Sequence, residues 1–245
     1  MDKRISQLTL KTSLSAIADL AMPRVCVVCG RDLTLQEKDI CLPCLEELPE
    51  THFFKMSRNP MADKFNEKVT DDRYCYASAL FFYNSESAYR RIPQALKYGR
   101  NLRAGKHFSR ILARRLADSE LFKDVDLVIP VPLHRIRKWK RGYNQAEIIA
   151  REVASELGAD LDCSLLRRTR NTSSQTRLGV EEKKENVEGA FAVKGTIPGR
   201  EVRHILLIDD VFTTGATTAG CHRALRTAFG TNTRISAATL AFVSN

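Results

Sequence analysis

The sequence predicts an α/β fold in which a mainly parallel sheet is flanked by helices and is preceded by a small cysteine module. From Tyr74 onward, short apolar segments of strand length alternate with longer segments of helix length, which is typical of βαβ units. Before that point, two Cys-x2-Cys pairs lie in a region without this alternation. We therefore predict a cysteine module with its connector in residues 1–72 and an α/β domain in residues 73–245.

The sequence predicts neither a membrane span nor a signal peptide. The stretch Ile5–Ala21 is interrupted by Lys11 and Asp19, so it is typical of an amphipathic helix and not of a signal peptide. No apolar run approaches the ~20 residues that a membrane span needs. We expect a cytoplasmic protein.

The four regularly spaced cysteines predict a structural zinc site. The pairs are C-V-V-C-G at Cys26–Gly30 and C-L-P-C at Cys41–Cys44, separated by eleven residues. Two such turns can direct four thiolates at one ion in the tetrahedral geometry that structural zinc prefers. Disulfides and a redox pair are the alternatives, and a cytoplasmic setting disfavours disulfides. The expected ligands are Cys26, Cys29, Cys41 and Cys44.

The elements of the α/β domain follow from apolar runs and their boundaries. Residues 40–48 predict a helix after the second cysteine pair, and residues 51–72 predict a connector. The expected strands are Tyr74–Tyr83, Asp126–Val131, Ile205–Ile208 and Ile235–Phe242. The expected helices are Ala88–Lys97, Arg103–Leu116, Asn144–Leu157 and Ala219–Phe229.

Positive charge is concentrated in the predicted α/β domain. The chain has a formal net charge of +10, yet residues 1–72 hold 10 Lys/Arg against 12 Asp/Glu, and residues 73–245 hold 29 against 17. The basic field therefore surrounds the α/β domain, which indicates a polyanionic ligand such as a sugar pyrophosphate or a nucleic acid.

The most informative motif is I-L-L-I-D-D-V-F-T-T-G-A-T-T at Ile205–Thr218. An apolar strand leads into the carboxylates of Asp209 and Asp210, and a Thr/Gly turn then opens a helix. Backbone N–H groups at such a helix start favour an anion, and the carboxylates can accept hydrogen bonds from ribose hydroxyls or lie near a phosphate-bound Mg²⁺. The motif predicts a site for a phosphorylated sugar; the alternative is an ordinary strand-to-helix turn.

A second motif, at Ile129–Gln145, follows another predicted strand with a run of cations. Its charged residues are His134, Arg135, Arg137, Lys138, Lys140 and Arg141, and Trp139 and Tyr143 lie among them. This basic arm could bind pyrophosphate through guanidinium groups. It could equally bind single-stranded DNA, with bases stacked on the aromatic rings. A solvated helix start is the third interpretation. Gly142 and Asn144 predict the turn and the N-cap of the next helix.

A third, polar segment at Arg167–Phe191 is either a lid over a phosphate ligand or an exposed connector.

Together these motifs resemble the ComF family of competence-associated proteins, which join a zinc module to a domain like the type I phosphoribosyltransferases. The resemblance covers about residues 17–245. It depends on the two cysteine pairs and on LKYGR at Leu96–Arg100, PVPLHRIRKWKRGYNQ at Pro130–Gln145, TSSQT at Thr172–Thr176, ENVEGAF at Glu185–Phe191 and LLIDDVFTTGATT at Leu206–Thr218. Lys183-Lys184 stands where an arginine-bearing segment is expected, so bidentate phosphate contacts by the lid are lost.

The resemblance implies binding of phosphoribosyl pyrophosphate (PRPP) with Mg²⁺. It assigns the ribose hydroxyls, and any catalysis, to Asp209 and Asp210. The 5′-phosphate falls to Thr213, Thr214, Gly215, Ala216 and Thr217. Two functions remain open. One is transfer of a phosphoribosyl group to an unidentified acceptor. The other is a non-catalytic role in competence and DNA uptake, with single-stranded DNA and DNA-uptake proteins as partners.

Overall fold

The protein is described by a computed structural model that covers residues 24–69, 71, 73–84, 86–97, 102–169, 189–195 and 201–244, without the side chain of Arg135. The helix expected at Ile5–Ala21 and residues 170–188, with Lys183-Lys184, lie outside these ranges. The chain forms two compact units that divide after Leu48.

The first unit contains the cysteine pairs. The first pair lies in a backbone turn, whereas in the second pair Cys41 is the N-cap of helix α1 (Leu42–Glu46) and Cys44 lies within it. Pro43 stands in the first turn of α1, where its missing N–H costs no hydrogen bond. Isolated bridges join Val25 to Asp32 and Lys38 to Ile40.

Residues 51–72, expected to be a connector, belong to the second unit. They contain a 3-10 turn at Phe53–Lys55 and helix α2 (Pro60–Asn66), which contact the first strand, β1 (Ala77–Tyr83). The Asn59 side chain caps α2 by accepting from the backbone N–H groups of residues 61 and 62. Phe53 and Phe65 are buried in the main core, so this segment packs as part of the fold. The structure thus places the division at residue 48, and the predicted boundary was residue 72.

The predicted parallel sheet is confirmed. Five strands lie in the order β1-β7-β6-β2-β3, and all their pairings are parallel. After β1 these are β2 (Leu127–Pro130), β3 (Asp160–Leu161), β6 (His204–Phe212) and β7 (Arg234–Val243). A separate antiparallel pair joins β4 (Leu166–Arg168) to β5 (Phe191–Val193).

The helices lie between the strands as the alternation predicts. They are α3 (Arg91–Lys97), preceded by a 3-10 turn at Ala88–Arg90, α4 (Leu102–Ala117), α5 (Arg135–Arg141), α6 (Gln145–Leu157) and α7 (Ala216–Phe229). Gly142 ends α5 with a left-handed φ of 83°, and Asn144 caps α6 by accepting from the N–H of Ala146. Both predicted boundary residues are therefore confirmed.

Strand β6 is longer than the sequence predicted. The apolar run suggests a strand at Ile205–Ile208, but pairing with β7 continues to Asp209↔Thr239 and Phe212↔Phe242. The acidic pair therefore lies within the last part of the strand. Both faces of β6 are covered, which explains why its sequence is a continuous apolar run.

The order of the strands creates a crevice between β2 and β6. The chain leaves β2 through α6 toward β3, and leaves β6 through α7 toward β7, in opposite directions. Because parallel crossovers are right-handed, the two helices cover opposite faces of the sheet. Ligands of open α/β sheets bind at such a reversal, outside the carboxyl ends of the strands.

No helix in the described part of the chain has the length and apolar character that a membrane span requires.

Candidate functional site

A cleft of about 500 Å³ lies at the carboxyl ends of β2 and β6, where the strand order reverses. Its floor comes from the residues that follow β2 and from the end of β6. The side chains that matter for chemistry are Lys97, Arg137, Arg141, Asn144, Gln145, Arg168, Asp209, Asp210, Thr213 and Thr217. The acidic pair and part of the basic arm therefore meet in one cleft.

The two carboxylates both line the cleft but differ in exposure, since Asp210 is buried and Asp209 is partly buried. Oδ1 of Asp209 accepts a hydrogen bond from the backbone N–H of Asp210 at 2.8 Å. Burial, followed by the neighbouring charge of Asp210, raises the pKa of Asp209 to about 7. Near neutral pH, Asp209 is therefore poised between its protonated and ionised forms.

Lys97, at the end of α3, forms an ion pair with the acidic pair inside the cleft. Its Nζ atom lies 3.0 Å from Oδ2 of Asp210. Burial alone would lower the pKa of Lys97, but the charges of Asp210 and Asp209 outweigh it and raise the pKa. In the sequence, the only indication for Lys97 was its position in the LKYGR motif, and no role was predicted for this lysine.

The turn after β6 supplies the start of α7. Gly215 has φ +75°, and a Cβ there would meet the ring of Phe212 at 2.6 Å, so a side chain is excluded. Thr213 and Thr217 line the cleft, whereas Thr214, Gly215 and Ala216 form the turn and the first helical position behind them. The backbone N–H of Ala216 donates to Oγ1 of Thr214 at 3.5 Å, and N–H groups at a helix start can bind an anion.

The basic arm forms the short helix α5, and only part of it faces the cleft. Arg137 and Arg141 line the cleft and lie one helical turn apart. His134 caps the helix, with Nδ1 accepting from the N–H of Ile136 at 3.3 Å. Lys138 pairs with Glu147 on α6 at 2.7 Å.

The other face of α5 is open to solvent and carries apolar side chains. Trp139 is 84% exposed and Ile136 is 51% exposed, and Lys140 is exposed beside them. The helix thus has a cationic face at the cleft and an aromatic, cationic face outside it.

Arg168, at the end of β4, adds a further cation to the cleft. Burial, and then the charge of Arg137, lowers its pKa below the ordinary arginine value. It comes from the start of the segment predicted as a lid or connector. The cleft therefore contains both carboxylates and guanidinium groups, a combination that suits a sugar with one or more phosphates.

In the first unit, the four predicted zinc ligands form a compact cluster. The Sγ atoms of Cys26, Cys29, Cys41 and Cys44 all lie within 4.8 Å of one another, and the cysteines are not joined as disulfides. Cys29 and Cys41 are 3.8 Å apart at sulfur, close to the edge of a tetrahedron around zinc with bonds of about 2.3 Å. The cluster could bind a structural zinc ion.

Backbone donors favour the thiolate form of Cys26. Burial raises the pKa of Cys26, but N–H groups of Cys29, Cys41 and Val28 outweigh this and lower it to about 6. Burial raises the pKa of Cys44, and the neighbouring cysteines raise this pKa further.

Glu37 braces the loop between the cysteine pairs, a role that sequence reasoning missed. Its carboxylate accepts from the backbone N–H groups of Thr34 and Leu42 and from Arg31. These contacts, led by the N–H of Thr34, lower its pKa to about 2.

Curated relatives of the chain are named for DNA use and competence. It is 30% identical to the DNA utilization protein YhgH of Escherichia coli strain K12 over 205 residues, which are 80% of this chain and 81% of the relative. It is also 30% identical to the protein of the same name from Shigella flexneri, with the same coverage. It is 28% identical to the competence protein F of Haemophilus influenzae over 136 residues, 54% of this chain and 59% of the relative. No protein-family model matches the chain.

Proposed function

This chain belongs to the ComF family of competence and DNA-utilization proteins, and from that premise we propose that it is a DNA-utilization factor that binds single-stranded DNA and holds a phosphoribosyl group in its cleft. The observation that carries the proposal is the two-faced helix α5. Arg137 and Arg141 line the cleft, while Trp139 and Lys140 are exposed on the outside.

The inner face of α5 supports binding of a phosphorylated sugar. Guanidinium groups of Arg137, Arg141 and Arg168 match phosphate oxygens in a bidentate manner. The start of α7 offers backbone N–H groups to a second phosphate. Between them, Asp209 and Asp210 are hydrogen-bond acceptors for ribose hydroxyls. Both PRPP and a nucleotide at a DNA end carry a phosphate on a pentose, although only PRPP presents two vicinal hydroxyls.

The outer face of α5 supports binding of single-stranded DNA. An exposed tryptophan flanked by cations can stack on any base while the cations contact phosphates. Trp139, 84% exposed, and Ile136, 51% exposed, lie three residues apart on α5 and together offer an apolar surface to a base. The names of the relatives favour DNA as that partner.

The decisive experiment measures two affinities on matched variants of α5. We expect Arg137→Ala with Arg141→Ala to weaken PRPP binding more than tenfold and to change DNA affinity little. We expect Trp139→Ala to weaken binding of single-stranded DNA by roughly 1–3 kcal/mol and to leave PRPP affinity unchanged. Lys140→Ala should reduce the salt slope of DNA binding by about one unit. Equal DNA affinities of the parent and both outer-face variants would refute the DNA role of α5.

The acidic pair provides a separate test of the phosphoribosyl ligand. Asp209→Asn with Asp210→Asn keeps the shape of the side chains and removes their charge and acceptor strength. Calorimetric titration with PRPP should show a large loss of affinity, while circular dichroism shows an intact fold. A folded double variant that binds PRPP as the parent does would exclude the pair from the ligand site.

A second candidate function, phosphoribosyl transfer, is favoured by the presence of the acidic pair and several cations in one cleft. Oxygen ligands such as Asp209 and Asp210 suit Mg²⁺, and the guanidinium groups could stabilise a departing pyrophosphate. Lys97 already neutralises part of the acidic pair, so a metal there would compete with its ammonium group. A screen for pyrophosphate release from PRPP and Mg²⁺ across nucleobases tests this function. Release with any base supports an enzyme, and PRPP binding without release supports the binding protein.

A further inference from the structure

A second cluster of metal-ligand side chains lies away from the cleft, and we propose that Asp71, Cys75 and His222 form a transition-metal site suited to zinc. The three side chains come from the segment before β1 and from the middle of α7. The ligand atoms of all three lie within 4.8 Å of one another. A thiol, an imidazole and a carboxylate are a donor set that zinc takes in preference to Mg²⁺ or Ca²⁺.

The distances between the donors match one face of a tetrahedron. Nε2 of His222 is 3.0 Å from Oδ2 of Asp71, and Sγ of Cys75 is 3.6 Å from each of these atoms. Zinc bonds of about 2.0–2.1 Å to N and O and about 2.3 Å to S place neighbouring donors roughly 3.3–3.6 Å apart in a tetrahedron. The three donors are therefore spaced as a zinc ion requires, and the ion would share Oδ2 of Asp71 with the guanidinium group of Arg226.

Burial and an ion pair hold the donors, whereas Nδ1 of His222 is buried without a hydrogen-bond partner among the described residues. Cys75 and His222 are 2% and 1% exposed, and the ring of His222 packs edge-on against Phe65 at 5.6 Å. Arg226 donates to the carboxylate of Asp71 and also to the carbonyl of Thr233, which anchors the guanidinium group to the backbone. A metal-bound carboxylate commonly keeps such an outer partner. The positive charge of Arg226 makes this site weaker than the four-cysteine cluster.

The cluster is distinct from the cleft. Cys75 precedes β1, and Thr233, which Arg226 contacts, precedes β7, so the cluster lies at the amino ends of the parallel strands. The cleft lies at their carboxyl ends. A nucleophilic role for Cys75 is disfavoured, because a reactive thiol needs exposure and stabilisation of its thiolate. Here the side chain of Cys75 is buried and out of reach of a substrate.

Binding has a defined proton balance. The ion takes the lone pair of Nε2 of His222 and one oxygen of Asp71, and Cys75 loses its thiol proton to solvent as the Zn–S bond forms. The described residues bring three donors, so the fourth tetrahedral position falls to water. No electron transfer is involved.

Zinc content of the full chain is the first measurement. Protein purified under reducing conditions with zinc supplied should hold about two ions per chain, one in each cluster. Cys75→Ser and His222→Ala should each lower the content to about one. Cys221→Ser is the matched control. Cys221 lies on α7 and is as buried as Cys75, but it is outside the cluster, so this variant should keep both ions.

A variant that leaves the cluster intact guards against misfolding of the Cys75 and His222 variants. Cys26→Ser with Cys29→Ser removes the four-cysteine site, which lies in the other unit. This variant should retain about one zinc, and Co²⁺ in its place should give a thiolate-to-cobalt absorption band from a single sulfur. The site is refuted if the parent holds one zinc and the Cys26/Cys29 variant holds none and binds no Co²⁺.

Discussion

The ammonium group of Lys97 lies 3.0 Å from a carboxylate oxygen of Asp210, inside the cleft that the acidic pair helps to form. The ammonium group is a counter-ion supplied by the chain itself. It offsets the repulsion between two adjacent carboxylates before any ligand binds. Any ligand that enters the cleft therefore meets an acidic pair that is already partly neutralised.

Removing this counter-ion should destabilise the fold. We expect Lys97→Met to lower the free energy of unfolding by about 1–3 kcal/mol at pH 8, because the largely buried carboxylate of Asp210 loses its partner. Urea unfolding followed by circular dichroism measures the change. Lys106→Met, an exposed lysine on α4, is the control and should unfold at nearly the parent midpoint. Identical midpoints for the two variants would show that the ion pair contributes nothing to stability.

The pKa of Asp209 predicts a pH-dependent stability. Its folded pKa is raised from 3.8 to about 7, so the folded state holds the proton more tightly than the unfolded chain. The stability that the folded state gains from protonated Asp209 is fully present below about pH 4 and is lost as the pH rises to about 7. Asp209→Asn should remove this loss. We expect it to be more stable than the parent by on the order of 2 kcal/mol at pH 8, with no gain at pH 4.

Unfolding midpoints at four pH values between 4 and 8 test this prediction. Glu156→Gln, an exposed carboxylate on α6, provides the baseline for a charge change that should leave the curve unaltered. A difference between Asp209→Asn and the parent that stays constant with pH would contradict the raised pKa.

The four-cysteine cluster should hold one zinc ion that stabilises the first unit. Cys26→Ser removes one thiolate ligand and should release one ion per chain and loosen that unit. Because the second unit has its own core, its strands should stay folded. Elemental analysis measures the ion, and hydrogen exchange measures each unit separately. Zinc content unaffected by Cys26→Ser would remove this cysteine from the ligand set.

Gly215 should be intolerant of a side chain for two separable reasons. Its φ of +75° disfavours any Cβ by roughly 1 kcal/mol. Its Cβ would also lie 2.6 Å from the ring of Phe212, which adds about 1–3 kcal/mol of overpacking. Gly158 has φ +65° and no atom within 4 Å of its Cβ position, so Gly158→Ala carries only the first effect.

Thermal or urea unfolding of the two alanine variants compares them directly. The excess destabilisation of Gly215→Ala over Gly158→Ala measures the contact with Phe212. Gly215→Ala should also weaken PRPP binding, since relief of the clash moves the start of α7. Equal destabilisation by the two substitutions would mean that the ring of Phe212 moves aside freely.

The sequence predicted the fold class because its signals are local. Runs such as Ile205–Ile208 and the caps at Asn144 and Gly142 depend on neighbours within a few residues. The predicted length of β6 was wrong because the end of this strand is decided by pairing with β7, about 30 residues further along the chain. Apolarity ends at Asp209, but the hydrogen-bond ladder does not.

The site was predicted in part for the same reason. The acidic pair and the basic arm are compact motifs that can be recognised in the sequence, and both contribute to the cleft. Lys97 and Arg168 join it from separate segments, and only the fold brings them near Asp210 and Arg137. His222 reaches Asp71 across 151 positions, a separation at which spacing carries no information.

Trp139 is the single tryptophan of the chain, and it stands almost fully in solvent on the outer face of α5. Its intrinsic fluorescence therefore reports on that face alone, without interference from a second indole in the core. Quenching by single-stranded DNA would follow contact with α5 directly in unlabelled, unmodified protein. A shift of the emission when PRPP is added would instead show that ligand binding in the cleft changes the environment of Trp139 on the outer face of α5.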